Sequence, residues 1–247
     1  FLIDWAGWRS VFWAITALAI LGLVLLVTSL PETRLPTQQV DSNIRKILAA
    51  YGVLLHDRKF IRLVFIGAFG ISSFFVYLAN SSFVLINHYG LTPRLYSIAF
   101  SLNAASFIGV SQFTGLLGKR FGLVTVVKIA VNGYAALMTL LLTLNMLGID
   151  RLDLLIIMLF LGYGFLGLIG PITAVLALEE QGAIAGTASA LMGTLQFVTG
   201  AVVIELVGLF VDGTARPMII GISACSMVAF VLTCGIQREA HSAESRS

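Results

Sequence analysis

The sequence PETRLPTQQVDSNIRKILAAYGVLLHDRKFIR, residues 31–62, is a long polar segment between stretches that are almost entirely apolar. It contains six of the fifteen lysines and arginines of the chain. One uncharged apolar window precedes it and six follow it. We interpret residues 31–62 as a connector that ends one helical bundle, of which residues 1–30 are the last part. It would begin a second bundle at residues 63–237, with a tail at 238–247.

The composition is that of a chain embedded in a bilayer. Hydrophobic residues make up 58% of the 247 residues, charged residues 11%, and the mean hydropathy is +0.99. Soluble domains contain about 45–50% apolar and about 25% charged residues. Too few charges remain to cover a core of this size, so the lipid bilayer is the expected surroundings. The net charge of +3 is small and gives no reason to expect a nucleic-acid partner.

Seven windows contain no Asp, Glu, Lys or Arg, and each is long enough for a helix to cross about 30 Å of hydrocarbon. The windows are residues 10–31, 63–93, 95–118, 129–149, 154–178, 181–204 and 217–237. They are continuous apolar runs, whereas a membrane β-barrel has alternating strands of about 10 residues. The sequence therefore predicts an all-α membrane protein with seven transmembrane helices.

The positive charges predict the orientation. If residues 31–62 are cytoplasmic, eleven lysines and arginines lie inside and four lie outside. An excess of positive charge on the cytoplasmic side is the usual bias. We therefore expect the connector and the C-terminus to be cytoplasmic.

Within the connector, apolar residues recur with helical spacing from Ile44 to Leu55, which predicts an amphipathic helix along the inner leaflet. A mobile linker with the same pattern is the alternative.

Glycines and one proline mark places where helices could approach or bend. Gly186, Gly193 and Gly200 are seven residues apart, a spacing that allows two backbones to pack closely in lipid. In the fifth window four glycines precede Pro171, and we expect a bend there, as a packing feature or a gating hinge.

Polar side chains within the apolar windows are the candidate substrate contacts, because a polar group in lipid is costly unless it faces protein or water. They either line a cavity or bind helices together. With the aromatic wall next to them, the cavity candidates are Ser73, Tyr77, Asn80, Asn103, Phe107 and Gln196.

Glu205 directly follows an apolar window and is a candidate proton carrier. The alternative is an interfacial carboxylate that reaches water.

Asp150 and Glu180 are expected to be solvated loop acids. His56, His88 and His241 are expected to fall outside the spans, so no buried histidine relay is predicted. No Cys/His spacing indicates a metal site, and no cofactor is expected. Cys225 and Cys234 lie about 180° apart on a helix and cannot pair with each other.

Several short motifs carry a family resemblance. Residues 115–122, GLLGKRFG, resemble the Gly-x-x-x-Asp/x-Arg-x-Gly signature of cytoplasmic loops in the major facilitator superfamily, although the usual acid is absent. Gly115, Arg120 and Gly122 would form a tight inner turn. The drug/proton antiporters of the Bcr/CflA, or bicyclomycin-resistance, type are similar in further segments. These are residues 7–12 (GWRSVF), 30–33 (LPET), 82–84 (SFV), 89–90 (YG), 100–103 (FSLN) and 186–196 (GTASALMGTLQ).

The resemblance implies two six-helix bundles with a substrate site between them near the midplane. The seven spans would be helices six to twelve of a probable twelve, and the N-terminal half of the same protein would be missing. It also implies proton-driven export of drug-like small molecules across the bacterial cytoplasmic (inner) membrane, with no enzymatic reaction. The fragment alone is expected to be inactive. A seven-helix receptor or a membrane-embedded enzyme is the alternative.

Overall fold

The structure, a computed structural model, describes residues 7–29 and 44–244, and among these it leaves out the side chains of Ile44, Ala183 and residues 236–244. Most of the connector before Ile44 therefore lies outside the described residues. The chain divides into two units, Phe1–Ile44 and Arg45–Ser247. The described part of the first unit forms one long helix, α1 (Arg9–Ser29), in which no residue is buried. An apolar helix without a buried residue must be covered by lipid or by other protein.

The rest of the described chain is helical, and no β-strand occurs in residues 44–244. The helices are α2 (Ile44–His56), α3 (Arg58–Ser82), α4 (Pro93–Ser111), α5 (Thr114–Phe121), α6 (Leu123–Met146), α7 (Leu152–Leu178), α8 (Ala185–Gly208) and α9 (Arg216–Glu244). A π-helical turn, Phe83–His88, continues α3, and a short 3-10 turn, Gly182–Ile184, precedes α8. The architecture is therefore all-α, as the sequence predicts.

Six of the described helices are long and apolar enough to cross a membrane, by length and composition. They are Arg9–Ser29, Arg58–His88, Leu123–Met146, Leu152–Leu178, Ala185–Gly208 and Arg216–Gly235. Six of the seven predicted spans are thus present as suitable helices. The seventh, α4, falls outside this group because Arg94, Asn103 and several serines lower its mean hydropathy.

The window at residues 95–118 is not one continuous helix, and this corrects the sequence prediction. α4 ends at Ser111, and α5 begins at Thr114 after a two-residue turn. The Thr114 hydroxyl donates to the Ser111 carbonyl at 2.7 Å, and the Phe113 N–H donates to the Val110 carbonyl at 3.0 Å. Short polar side chains that bond to nearby backbone compete with helical hydrogen bonds, which explains the break.

α3 is the central helix of the second unit, since it packs against α7, α8 and α9. Its buried residues extend from Phe60 to Ser81, almost its whole length. α7 is the second centre of packing and contacts α3, α4 and α6. Asp57 caps α3 by accepting hydrogen bonds from the Lys59 and Phe60 N–H groups at 2.9 and 3.1 Å. The pair α3 and α7 therefore organises the bundle.

The connector helix α2 places part of its apolar face against the bundle. Leu54 is completely buried and packs with Phe60, Leu63 and Val64 of α3, and Tyr51 packs against the same cluster. Of the other described apolar side chains on this face, Ile47, Leu48 and Leu55 are exposed. α2 thus follows the predicted amphipathic pattern, but it divides its apolar residues between the bundle and the surroundings.

Glycines allow α7 to approach its neighbours closely. A Cβ atom on Gly167 would lie 2.2 Å from the Phe107 carbonyl oxygen of α4, and one on Gly162 would lie 2.4 Å from Met138 of α6. α7 is helical on both sides of Pro171, which lacks the N–H that would bond to the Gly167 carbonyl. The glycines before Pro171 therefore include contact positions between helices, whatever hinge they also provide.

Only one of the three glycines spaced seven residues apart in α8 makes the predicted close contact with another helix. A Cβ atom on Gly186 or Gly193 would meet nothing within 4 Å, whereas Gly200 lies against Phe75 of α3. Only Ala188, Gly200 and Val207 of α8 are buried among the described residues. Within the second unit, the expected close approach of two backbones is therefore absent at Gly186 and Gly193.

We expect Gly167→Ala to destabilise the protein by about 1–3 kcal/mol, because the new methyl group would collide with backbone rather than with a mobile side chain. Thermal unfolding in one detergent would measure the change. Gly193→Ala is the matched control, since open space surrounds that position and alanine favours helix. Equal melting temperatures for the two variants would contradict the proposed contact.

Candidate functional site

A group of buried polar side chains lies where α3, α4, α6 and α7 meet. Ser73 and Tyr77 of α3 are 0% and 1% exposed, and Asn103 of α4 is 2% exposed. The Asn103 amide nitrogen Nδ2 donates to the Tyr77 hydroxyl at 3.0 Å. Ser73 Oγ lies 2.6 Å from the Tyr134 hydroxyl of α6. The structure thus brings three predicted cavity candidates together, in contact with other helices.

Two atoms of this group have no hydrogen-bond partner among the described protein atoms. They are Asn103 Oδ1 and the Tyr163 hydroxyl of α7, both buried. The Tyr163 ring meets the Tyr77 ring edge-on, with 5.3 Å between the ring centres. A buried polar atom left unpaired costs about 1–3 kcal/mol. These atoms are therefore the part of the group with free hydrogen-bonding capacity.

Aromatic rings form one side of the group. Phe107, a predicted wall residue, stacks on Phe74 with 5.5 Å between ring centres, and Phe74 also contacts Tyr163. Tyr77 stacks on Phe100 at 5.8 Å. Sequence reasoning missed Tyr134 and Tyr163, although a tyrosine within an apolar span is a detectable signal because its hydroxyl requires a partner.

The other cavity candidates are separate from this group. Asn80 is half-buried and donates from Nδ2 to the Val76 carbonyl of its own helix at 2.9 Å. Gln196 of α8 is also half-buried and faces Gly67 of α3, where its Nε2 atom would lie 3.1 Å from an added Cβ atom. Glu205 is exposed on α8 and borders a shallow apolar groove with Leu206 and Leu209. Whether these residues contact a substrate or a proton stays a prediction.

The predicted inner turn at residues 115–122 is mostly helix, which corrects the expectation of a tight turn throughout. Gly115 and Arg120 lie within α5, and Arg120 is exposed, with its guanidinium 5.3 Å from the centre of the Phe121 ring. The chain turns at Gly122, whose φ of +81° is a conformation that other residues rarely adopt. Gly122 is thus the residue on which this turn depends.

A cluster of ionisable side chains that was not predicted from the sequence lies at the C-terminal end of α3. His88 Nε2 is 2.7 Å from Asp150 Oδ2, and the Tyr89 hydroxyl donates to Asp150 Oδ1. The side chains of His88 and Asp150 are 23% and 36% exposed. Asp150 lies in a loop and is exposed, as the sequence predicts, but its carboxylate also binds two side chains from another helix end, which was not predicted. His88 is the last residue of the span Arg58–His88 and does not lie outside the spans as expected.

Hydrogen bonding determines the ionisation of this cluster. Partial burial acts to raise the pKa of Asp150, but hydrogen bonds from Tyr89 and His88, with the charges of His88 and Arg216, outweigh burial and lower it. Burial, together with the hydrogen bond to Asp150 and its charge, raises the pKa of Tyr89. Asp150 is thus held as a carboxylate that accepts hydrogen bonds.

A second polar cluster joins the opposite ends of the same helices. Asp57 Oδ2 accepts a hydrogen bond from Gln181 Nε2 at 3.0 Å. Lys59 Nζ lies 2.5 Å from Glu180 Oε1, and both of these side chains are more than half exposed. Glu180, like Asp150, is therefore paired. No group of three or more His, Cys, Asp or Glu residues within the described ranges could hold a metal ion.

The comparison with protein families identifies the architecture. The model of the Major Facilitator Superfamily matches residues 1–204. The chain belongs to the major facilitator superfamily. It is therefore a multi-pass membrane protein from a family of transporters. This finding favours the transporter interpretation over the two alternatives left by the sequence, a receptor or a membrane-embedded enzyme.

Two curated relatives give the extent of the similarity. The uncharacterized MFS-type transporter YdgK of Bacillus subtilis is 31% identical over 217 residues, which are 88% of this chain and 54% of the relative. A bicyclomycin resistance protein homolog of Haemophilus influenzae is 24% identical over 236 residues, which are 93% of this chain and 57% of the relative. The chain spans about half the length of the curated relatives it matches.

Matched Tyr→Phe substitutions test the buried group. Tyr77→Phe removes the acceptor for Asn103 Nδ2 and should destabilise the protein by about 1–3 kcal/mol. Tyr163→Phe removes a hydroxyl that has no protein partner, so it should be neutral or stabilising. Thermal unfolding of both variants under the same conditions measures the difference. An equal or larger loss for Tyr163→Phe would show that its hydroxyl has a partner.

Proposed function

We propose that this chain is the C-terminal part of a twelve-helix secondary transporter that exports drug-like small molecules in exchange for protons. The observation that carries the proposal is the match of nearly the whole chain to about half of a bicyclomycin resistance protein homolog. The resemblance to Bcr/CflA antiporters in residues 186–196 supports the same subgroup. The N-terminal half would be the remaining partner, and the membrane would be the bacterial inner membrane.

The proposed domain organisation assigns seven of the twelve helices to this chain. Residues 1–30 end the first bundle, residues 31–62 connect, residues 63–237 form the second bundle and residues 238–247 form the tail. α4 would be the seventh span, since its 19 residues rise roughly 28 Å, close to the thickness of the hydrocarbon core. The excess of positive charge supports a cytoplasmic connector and C-terminus.

The proposed substrate-responsive region is the group around Ser73, Tyr77, Asn103 and Phe107, extended to Tyr163. Its support is the combination of unpaired polar atoms, Asn103 Oδ1 and the Tyr163 hydroxyl, with stacked aromatic rings. Amide, hydroxyl and aromatic groups suit drug-like molecules, which combine apolar surface with a few polar atoms. Because the group is packed between helices, substrate access requires these helices to separate during transport.

Other predicted residues are candidates for substrate contact, proton transfer and helix movement during the transport cycle. They are Asn80, Gln196, Glu205, Gly115, Arg120, Gly122 and Pro171. Asn80 and Gln196 are proposed substrate contacts, and Glu205 is a weaker candidate for carrying a proton. Gly115, Arg120 and Gly122 would fix the inner turn between α4 and α6. Pro171 would permit bending of α7, because it removes one backbone hydrogen bond.

Transport by the full-length protein in proteoliposomes tests the function. An imposed pH gradient should drive movement of a fluorescent drug-like substrate, and collapse of that gradient with a protonophore should stop it. The 247-residue chain alone should be inactive, because half of the binding region would be absent. Substrate movement unchanged by the protonophore would overturn proton exchange, and activity of the isolated chain would overturn the half-transporter proposal.

Cysteine accessibility tests the proposed contact residues. In a cysteine-free background, Asn80→Cys and Asn103→Cys should react with a water-soluble maleimide in at least one transport state. Substrate should slow the reaction. Ala130→Cys is the matched control, because Ala130 of α6 is fully buried among apolar residues and should stay unreactive. Protection of Asn103→Cys equal to that of the control in every state would remove Asn103 from the site.

A further inference from the structure

The two central helices of the bundle are joined by polar contacts at both ends. At the end nearer the connector, Gln181, just after α7, binds Asp57, just before α3. At the far end, His88, which closes the π-helical continuation of α3, binds Asp150, two residues before α7. Each contact thus bridges α3 and α7 over more than 60 residues of sequence. We name the first the inner link and the second the outer link.

The two links differ in how they respond to protons. The inner link pairs a carboxylate with an amide, and an amide does not ionise. The outer link pairs a carboxylate with an imidazole, the side chain type whose charge changes between about pH 5 and pH 8. Because an ionised carboxylate can only accept, His88 Nε2 must carry the hydrogen that is donated to Asp150 Oδ2. A further proton on the ring therefore goes to Nδ1.

The outer link is surrounded by other titratable and charged side chains. Tyr89 donates to the other carboxylate oxygen of Asp150, and Arg216 at the start of α9 attracts the same carboxylate. Arg216 also attracts Asp212, which accepts from the Thr214 hydroxyl and N–H. Arg151 is paired with Asp153 at 2.6 Å. Tyr89 donates its hydroxyl hydrogen and Arg216 remains charged, so His88, whose Nδ1 atom can still accept a proton, is the group in this set that can bind one.

We propose that His88 and Asp150 form a proton-binding site whose protonation tightens the link between α3 and α7. Proton uptake converts a hydrogen bond from neutral imidazole into an ion pair, and charge-assisted hydrogen bonds are roughly twice as strong as neutral ones. The proton comes from water at the partly exposed ring and adds to Nδ1, with no bond broken elsewhere. That this water is on the outer, proton-rich side of the membrane rests on the proposed function.

The sign of the pH dependence follows from both partners. The pKa of Asp150 is lowered in the folded protein, so its contribution is present above the unfolded value and is lost as the pH falls through the folded value. The added contribution of the ion pair requires imidazolium, so it is lost as the pH rises through the range in which histidine loses its charge. The outer link is thus strongest at mildly acidic pH.

A melting experiment on the full-length protein in nanodiscs tests the site. Cys225 is 3% exposed, so a thiol-reactive fluorophore reports unfolding of the bundle when Cys225 is the single cysteine. The variants are His88→Gln, Asp150→Asn and the double variant, each compared with the parent at about pH 6 and about pH 9. Glutamine can still donate to Asp150 but cannot gain a charge.

We expect the parent to gain about 2–4 °C over His88→Gln at about pH 6, and much less at about pH 9. The advantage should disappear when Asp150→Asn is also present. Gln181→Ala, which breaks the inner link, is the matched control and should lower the melting temperature equally at both pH values.

An advantage of the parent that does not change with pH, or that survives Asp150→Asn, would overturn the proton-binding site. If His88→Gln fails to fold, Asp150→Asn alone decides, since its loss should also be larger at the acidic pH. The measurement requires no substrate. A transporter driven by something other than protons would therefore fail the efflux experiment and leave this result unchanged.

Discussion

The contact between α3 and α7 is the interaction on which the rest of the bundle depends. Lipid offers no hydrogen bonds to polar groups, so helices in a membrane must satisfy them internally or against one another. α3 and α7 do so at their ends through Asp57–Gln181 and His88–Asp150. Between these ends, a Cβ atom on Gly67 of α3 would lie 2.7 Å from the Thr173 hydroxyl oxygen of α7. The two helices thus combine a close approach near their middle with polar contacts at their ends.

Other helices are arranged around this pair with very different degrees of burial. α6 and α9 cover the pair and bury residues along much of their described lengths, whereas α8 buries three residues among those described. Phe197 of α8 is 69% exposed although it stacks on Phe75 of α3. Large exposed apolar surface in a membrane protein is covered by lipid or by another protein segment. α8 and α1 therefore have most of their apolar area available for such contacts.

Much of the helical architecture was predictable, because the length of an apolar run determines whether a helix can span the membrane. Helix ends were less predictable: α3 begins at Arg58 rather than at residue 63, because Asp57 caps it and charged residues can occupy the first turn. The break after Ser111 was missed because charge-free windows do not register the backbone bonding of Ser and Thr.

The candidate site was predictable only in part. The polar side of α3, with Ser73 and Tyr77, follows from helical spacing, and Asn103 is conspicuous within an apolar run. Tyr134 and Tyr163 are detectable as tyrosines within apolar spans, but their contacts with Ser73 and Tyr77 could not be predicted, since these depend on which helices touch. The same holds for His88 and Asp150, which are 62 residues apart and stand at the edges of two different windows.

The π-helical turn at Phe83–His88 also bears on how this protein could have diverged from its relatives. A π turn within an α-helix accommodates extra residue length, and such turns are frequent at functional sites. Each residue of an α-helix turns the chain by about 100°. Loss of one residue from this turn would therefore shift the register of both His88 and Tyr89, which bind the two carboxylate oxygens of Asp150. A single-codon deletion or insertion would act on both contacts at once, whereas a substitution at His88 or Tyr89 would remove one of them.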